Sequence, residues 1–131
     1  MPYCLYSSPL GEIRIVSDGS AVTGLWLPGQ GGEAAVRDMG ASLGDDALLR
    51  TTSRWLDRYF DGEEPDFMPP LRPSGSPFRM CVWERLRQIP YGETTTYGAL
   101  AREIAAARGG RMSAQAVGGA VGSNPISILI P

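Results

Sequence analysis

Side chains that could act as nucleophiles or carry protons are scarce in this sequence. The 131 residues contain two cysteines, Cys4 and Cys81, and no histidine. A Cys–His or Ser–His catalytic pair and a histidine-bound metal are therefore excluded within these residues. Two cysteines cannot form a four-thiolate zinc site either, so we expect no metal and no cofactor. The N-terminus has no secretion signal, which favours a reducing compartment and two free thiols.

Charge is distributed unevenly along the chain, although the net charge is only −2. Residues 1–70 carry 5 arginines and 11 acidic residues, a net charge of −6, whereas residues 71–131 carry 7 arginines and 3 glutamates, a net charge of +4. A basic second half suggests contact with a polyanion, and chance is the alternative. All twelve basic residues are arginine, which favours forked phosphate contacts but is equally explained by genome composition.

A helix built almost entirely of alanine and glycine is predicted near the C-terminus. Its sequence from residue 114 to residue 122 is AQAVGGAVG. Each of the adjacent glycines, Gly118 and Gly119, should cost about 1 kcal/mol of helix stability relative to alanine. The absent side chains must therefore serve a close approach. Tight packing of one helix on another and insertion of the helix into a narrow DNA groove both explain them.

The elements before this helix form two groups. Alternating apolar residues over the first thirty positions predict an antiparallel β-meander, and residues 46–60 predict an amphipathic helix. Five prolines between residues 63 and 77 predict an extended connector, where we place the boundary between lobes. Apolar residues at helical spacing predict helices that begin near Phe78 and Tyr97, and the Ala/Gly helix follows at about 112–121.

The last two helices form a candidate helix-turn-helix, although their connection is longer than usual. The β-branched run at residues 126–130 then predicts a buried strand.

Four ordered motifs resemble the O6-alkylguanine-DNA alkyltransferase family. The segment IPYGETTTYGALA at residues 89–101 is similar to a family signature, and AVGGA at residues 116–120 is similar to the family's recognition helix. NPISILIP at residues 124–131 resembles the stretch that leads into the family's PCHRV active-site motif. Phe78 with Val82 and Trp83 fits the opening helix of the same lobe.

This resemblance implies an α/β fold in two domains. Residues 1–72 would form an RNase H-like antiparallel sheet with a helix, together with the connector. Residues 73–131 would form a winged-helix-like helix-turn-helix lobe that is incomplete at its C-terminus. The implied partner is double-stranded DNA containing O6-alkylguanine, bound through the minor groove by a monomer in the cytoplasm, with no membrane contact. The damaged base would be flipped out, and a cysteine would take its alkyl group irreversibly.

The resemblance also carries over DNA-binding roles residue by residue. The matching positions are Tyr97, Ser113, Ala114, Gln115, Gly118, Gly119 and Asn124. Tyr97 would crowd the phosphate beside the flipped nucleotide, with a core aromatic as the alternative. Asn124 would lie at the hinge between the recognition helix and the active-site segment, and Asn before Pro is also a common turn.

Gln115 departs from the family pattern, in which an arginine directly precedes AVGGA. A glutamine can fill the gap left by the flipped base and can hydrogen-bond the orphaned partner base. It brings no positive charge, so we expect weaker and less salt-dependent DNA binding. Gly122 also stands where a basic residue is frequent, and Arg108 and Arg111 are candidates to compensate.

The reactive cysteine implied by the resemblance is expected directly after Pro131, followed by a histidine that would act with a water and a glutamate to form the thiolate. We expect neither Cys4, in the first strand, nor Cys81, in an apolar helix stripe, to replace it. Residues 1–131 alone should therefore be inactive in alkyl transfer. The alternatives are an alkyltransferase whose cysteine lies outside these residues, a non-catalytic alkyltransferase-like protein that binds damaged DNA, and a product without function.

Overall fold

A computed structural model describes residues 1–131 and confirms the α/β fold. The strands are β1 (Pro2–Ser8), β2 (Gly11–Ser17), β3 (Val22–Trp26) and β4 (Ser42–Leu43), in the sheet order β3-β2-β1-β4. β1, β2 and β3 form the predicted antiparallel meander. The short β4 was not predicted, and it pairs in parallel with β1, so the sheet is not wholly antiparallel.

The alternation of side chains in β2 explains why the sheet has a buried face. Ile13 and Ile15 are fully buried, whereas Glu12 is exposed. The strand is followed by Asp18, whose carboxylate accepts the backbone N–H groups of Ser20 and Ala21, both at 2.8 Å. These bonds close the turn into β3 and hold the pKa of Asp18 below its usual value.

Two helices belong to the same part of the chain. The short helix α1 (Gly32–Asp38) was missed because its seven residues present only a narrow apolar face. The predicted amphipathic helix is confirmed as α2 (Ala47–Phe60). Asp46 begins α2 by accepting the N–H of Leu49 at 2.7 Å, and the buried stripe includes Trp55 and Leu56.

The second group of helices comprises α3 (Pro77–Leu86), α4 (Tyr97–Arg108) and α5 (Ala114–Gly122), which pack on one another. Each begins with a side-chain cap. The caps are Ser76, Thr96 and Ser113. None of the helices in the chain is long and apolar enough to cross a membrane.

The chain divides into two compact units. The first unit is Met1–Pro73 together with Pro125–Ile128, and the second is Ser74–Asn124 together with Leu129–Pro131. The chain thus returns briefly to the first unit near its end. The division into domains at residues 1–72 and 73–131 remains a prediction.

The end of the predicted connector is attached to the sheet. The N–H of Val22 in β3 donates to the carbonyl of Pro70 at 2.8 Å, and the N–H of Arg72 donates to the carbonyl of Val22 at 2.8 Å. Arg72 also forms an ion pair with Asp18. The connector is therefore ordered at its end by the edge of β3.

The predicted strand at residues 126–130 is wrong, although most of its residues are buried. Ile126 forms a single bridge with Leu25, and the chain then turns because Ile128 adopts a φ of 71°, in the left-handed region. Ile126, Leu129 and Ile130 are nonetheless almost fully buried. The run of apolar, β-branched residues therefore predicted the burial of these side chains correctly and the extended backbone incorrectly.

A buried hydrogen bond fixes the end of α5 on α3, and we expect its loss to destabilise the protein. The indole N–H of Trp83 donates to the carbonyl of Ala120 at 2.9 Å. Trp83→Phe should lower the free energy of unfolding by about 1 kcal/mol for the bond, in addition to the smaller ring volume. Urea unfolding measures the change, with Trp55→Phe as the control for ring size. Equal losses in the two variants would contradict the importance of this bond.

Candidate nucleic-acid interface

The helix α5 has one buried side and one nearly bare side. Val117 and Ala120 are buried. The residues of the other side fall within one arc of about 140° at 100° per residue, and we call them the α5 face. The α5 face comprises Ala114, Gln115, Gly118, Gly119 and Gly122. The only side chain longer than a methyl group on this face is that of Gln115.

The N-terminus of α5 is capped and open to solvent. The hydroxyl oxygen of Ser113 accepts the N–H of Ala116 at 3.0 Å, which leaves the hydroxyl hydrogen free to be donated outward. Ala114 is the first helical residue, and both Ser113 and Ala114 are exposed, as the sequence analysis expected of a helix start. The first N–H groups of a helix lack intrahelical partners and favour an anion such as a phosphate.

Tyr97 lies beside this face and explains the first of the two adjacent glycines. A Cβ atom on Gly118 would lie 3.1 Å from Cδ2 and from Cε2 of the Tyr97 ring. Tyr97 itself is 52% exposed, unlike Leu100 and Ile104 on the same helix. The alternative role of Tyr97 as a core aromatic therefore does not fit its position.

Gly119 has a different environment from Gly118. No atom lies within 4 Å of a Cβ atom built on Gly119, so contacts inside the protein do not require a glycine there. Of the two explanations for the adjacent glycines, tight packing holds for Gly118 and not for Gly119, and insertion into a DNA groove stays a prediction. Packing accounts for Gly118, whereas the open side of Gly119 is free for an external surface.

The α5 face carries no positive charge, and the arginines nearest to it in sequence precede the helix. Gln115 is exposed and α5 contains no charged residue. The nearest arginines in sequence are Arg108 and Arg111, both exposed, on either side of Gly109 and Gly110. The guanidinium of Arg108 lies 6.0 Å from the centre of the Phe78 ring, close enough for a cation–π contact.

Asn124 joins the end of α5 to the segment that follows. Its backbone N–H donates to the carbonyl of Val121 at 3.1 Å, and its side-chain amide donates to the carbonyl of Ile130 at 2.8 Å. The second bond spans six residues and closes the turn at Ile128. Asn124 therefore closes a turn directly after α5, and its role at a hinge beside the active-site segment stays a prediction.

The two cysteines are poorly suited to nucleophilic chemistry. Cys4 lies on β1 and is half-buried; burial raises the pKa of its thiol, and the nearby carboxylates of Asp45 and Asp46 add to this against the opposing hydrogen bond of Ser53. A raised pKa reduces the thiolate fraction. Cys81, expected to be buried, is half-buried on α3 and outside the α5 face. No cluster of three cysteines or carboxylates is placed to hold a metal ion.

A cleft of about 310 Å³ lies elsewhere in the second unit. It extends from the end of α3 to α4, and its lining includes Arg85, Thr94 and Glu103. None of the predicted DNA-binding residues lines it. The cleft therefore carries no part of the candidate site.

Two family models match almost the whole chain. Residues 1–73 match the ribonuclease-like domain of 6-O-methylguanine DNA methyltransferase, and residues 77–131 match its DNA binding domain.

Relatives in sequence and structure agree with this match. A methylated-DNA–protein-cysteine methyltransferase from Haemophilus influenzae is 39% identical over 98% of this chain and 69% of its own length. Another from Methanosarcina acetivorans is 34% identical over 100% of this chain and 80% of its own length. The crystal structure of Mycobacterium tuberculosis OGT in complex with DNA superposes with a TM-score of 0.84 at 34% identity, covering 100% of this chain and 75% of that one.

The contrast between the two glycines predicts opposite responses to the same substitution. Gly119→Ala should raise the free energy of unfolding by about 0.5–1 kcal/mol, because alanine favours a helix and the added methyl group meets open space. Gly118→Ala gains the same propensity but must displace the Tyr97 ring, so it should be neutral or destabilising. Urea unfolding of the pair measures the difference. Similar stabilisation of both variants would show that the Tyr97 ring does not constrain residue 118.

Proposed function

Because this chain belongs to the 6-O-methylguanine DNA methyltransferase family, we propose that the protein repairs DNA by direct reversal. In this function the α5 face meets double-stranded DNA that contains O6-alkylguanine, and the alkyl group passes to a cysteine of the protein itself. The monomeric state and the cytoplasmic location remain predictions from the sequence.

The observation that carries this proposal is the bare α5 face, and above all the open side of Gly119. A helix with ordinary side chains is about 10–12 Å wide, whereas the minor groove of B-DNA is about 6 Å wide. A face of alanine and glycine reduces the helix width on the contacting side. A helix with this face is therefore suited to approach the groove floor after modest widening, which a helix with large side chains could not do.

Three residues around α5 are suited to hold and deform the DNA. The hydroxyl of Ser113 and the free N–H groups at the start of α5 would bind phosphate oxygens, which fixes the helix on the backbone. The exposed ring of Tyr97 would press on the phosphate beside the damaged nucleotide. Gln115 would then enter the base stack and occupy the space left by the flipped guanine.

The chemical step is a displacement at the alkyl carbon. A cysteine sulfur forms a bond to that carbon while the bond from the carbon to O6 of guanine breaks. The thiol gives up its proton and guanine takes one at N1, so the base is restored and no redox partner is needed. Cys4 and Cys81 lie outside the α5 face and are not proposed as acceptors. We assign this role to the cysteine that the family motif places directly after Pro131.

A second candidate function is that of an alkyltransferase-like protein that binds damaged DNA without chemistry. For this function, as for alkyl transfer, residues 1–131 would supply the same contacts to DNA, namely the α5 face together with Tyr97 and Asn124. Both candidates predict the same DNA contacts and differ only in the fate of the alkyl group.

The decisive experiment follows the methyl group. The complete gene product is incubated with duplex DNA that carries radiolabelled O6-methylguanine, and the labelled peptide is identified by mass spectrometry. We expect one methyl group per protein on a cysteine after Pro131 and none on Cys4 or Cys81. Residues 1–131 alone should bind the duplex without taking up label. Tight binding without transfer by the complete product would favour the second candidate, and absence of both would contradict the proposal.

The identity of residue 115 should control the salt dependence of DNA binding. Gln115→Arg adds a positive charge beside the phosphates, so it should raise DNA affinity at low salt and steepen the plot of log K against log salt by about 0.9. Gln115→Met keeps a similar length without charge and serves as the control. The slope is measured by fluorescence anisotropy with a labelled duplex, at salt concentrations from about 50 to about 200 mM. An unchanged slope for the arginine variant would place residue 115 away from the DNA.

A further inference from the structure

The free edge of β3 holds the segment that follows α5. The N–H of Leu25 donates to the carbonyl of Pro125 at 2.9 Å, and the N–H of Ser127 donates to the carbonyl of Leu25 at 3.1 Å. These two bonds attach residues 125–127 to the sheet of the first unit, to which that segment belongs. Two backbone bonds at one strand residue form a short attachment that needs further support.

A tight turn directly after β3 presents a side chain to this segment. Pro28 and Gly29 occupy the central positions, and the φ of 83° at Gly29 is the left-handed value that a type II turn requires. The backbone N–H of Gln30 donates to the carbonyl of Leu27 at 3.1 Å, and its side-chain Oε1 accepts the N–H of Leu27 at 2.9 Å. Gln30 thus pairs with both backbone groups of Leu27, which immobilises its side chain.

The same oxygen reaches the segment held by β3. Oε1 of Gln30 accepts the hydroxyl of Ser127 at 2.9 Å, and Ser127 is buried. The orientation of the Gln30 amide is determined, because the Leu27 N–H can only donate and so requires the oxygen to face it. Ser127 directly precedes Ile128, the residue with positive φ at which the chain turns.

The turn at Ile128 is therefore held by a side chain at each end. Asn124 holds the far end through its bond to the carbonyl of Ile130, and Gln30 holds the near end through Ser127. Asn124 matches the family motif, whereas Gln30 lies in a part of the chain that none of the family motifs includes. Loss of either bond would free one end of a strained turn that leads directly to Pro131.

We propose that Gln30 is a positioning residue that sets the geometry of residues 125–131 for alkyl transfer. This proposal rests on the proposed function, since it assigns the accepting cysteine to the position after Pro131. Gln30 touches no DNA and no reacting atom in this account. It acts through Ser127, by keeping the turn in the one arrangement from which the next residue can reach the flipped base.

The test uses the complete gene product with three substitutions. Gln30→Ala removes the shared oxygen, whereas Gln30→Glu keeps an acceptor of the same length and should preserve both bonds. Gln88→Ala removes an exposed glutamine from the turn after α3 and is the matched control. Three quantities are measured in each variant. They are the exchange rates of the Leu25 and Ser127 amides, the dissociation constant for DNA, and the single-turnover rate of methyl transfer at saturating DNA.

We expect Gln30→Ala to raise both amide exchange rates and to lower the transfer rate, each by about tenfold, the size expected for losing one or two hydrogen bonds. The dissociation constant for DNA should stay within about twofold, because the α5 face is intact. Gln30→Glu and Gln88→Ala should resemble the wild type in all three quantities. A purely structural role would instead weaken binding and transfer together.

Two results would overturn the proposal. Unchanged amide exchange in Gln30→Ala would show that Gln30 does not hold the segment, whether or not transfer occurs. Faster exchange with an unchanged transfer rate would show that the hold of Gln30 on the segment has no effect on alkyl transfer. If the wild type transfers no methyl group, the proposed function fails and the positioning role fails with it, while the exchange rates still report whether Gln30 holds Ser127.

Discussion

The bare face of α5 is the constraint on which the rest of the second unit depends. A helix of nine residues with three glycines has little stability of its own, and two of those glycines have no neighbouring atom that would explain them. Contacts from outside the helix must therefore maintain it. Ser113 caps its first turn, and the indole of Trp83 holds the carbonyl of Ala120 in its last turn. The helix is supported at both ends and left without side chains between them.

Tyr97 packs its exposed ring against α5. The ring lies so close to Gly118 that a methyl group there would displace it. The glycine that lowers the helix stability of α5 therefore also leaves room for the tyrosine ring. Thr96 begins α4 by accepting the N–H of Ala99, which fixes Tyr97 at the first helical position. The two neighbouring glycines therefore differ, since Gly118 serves a contact inside the protein and no atom of the protein lies against Gly119.

Sequence patterns predicted those elements whose side chains alternate over a long enough stretch. The meander and the helices α2 to α5 follow from the period of the apolar residues and from the Ala/Gly composition near the C-terminus. β4 and α1 were not predicted, because two and seven residues are too few to show a periodic pattern of apolar side chains. The segment at residues 126–130 was assigned the wrong geometry, because local propensity favours a strand there. The chain turns at Ile128 instead, where Asn124 bonds Ile130 across the turn and Ser127 bonds the distant Gln30.

The residues of the candidate site also divide into those that the sequence could identify and those that it could not. Tyr97, Gln115 and Asn124 could be singled out from motifs, because the motif keeps them at fixed spacing along the chain. Gln30 could not, since its contact with Ser127 joins residues that are 97 positions apart. Its only local signal was the Pro28–Gly29 turn, which predicts a turn and gives no information about what its next side chain binds. Long-range polar contacts of single residues leave no periodic trace in the sequence.

The central claim, that the α5 face is the surface that meets DNA, is tested most directly by the DNA affinity of Gly119→Leu. A leucine there projects into open space and leaves the fold intact, which circular dichroism and the unfolding midpoint can verify. The account predicts that the variant is at least as stable as the wild type and binds an O6-methylguanine duplex at least about tenfold more weakly, because the side chain keeps α5 out of the groove. Undiminished binding by a stably folded Gly119→Leu protein would contradict the account.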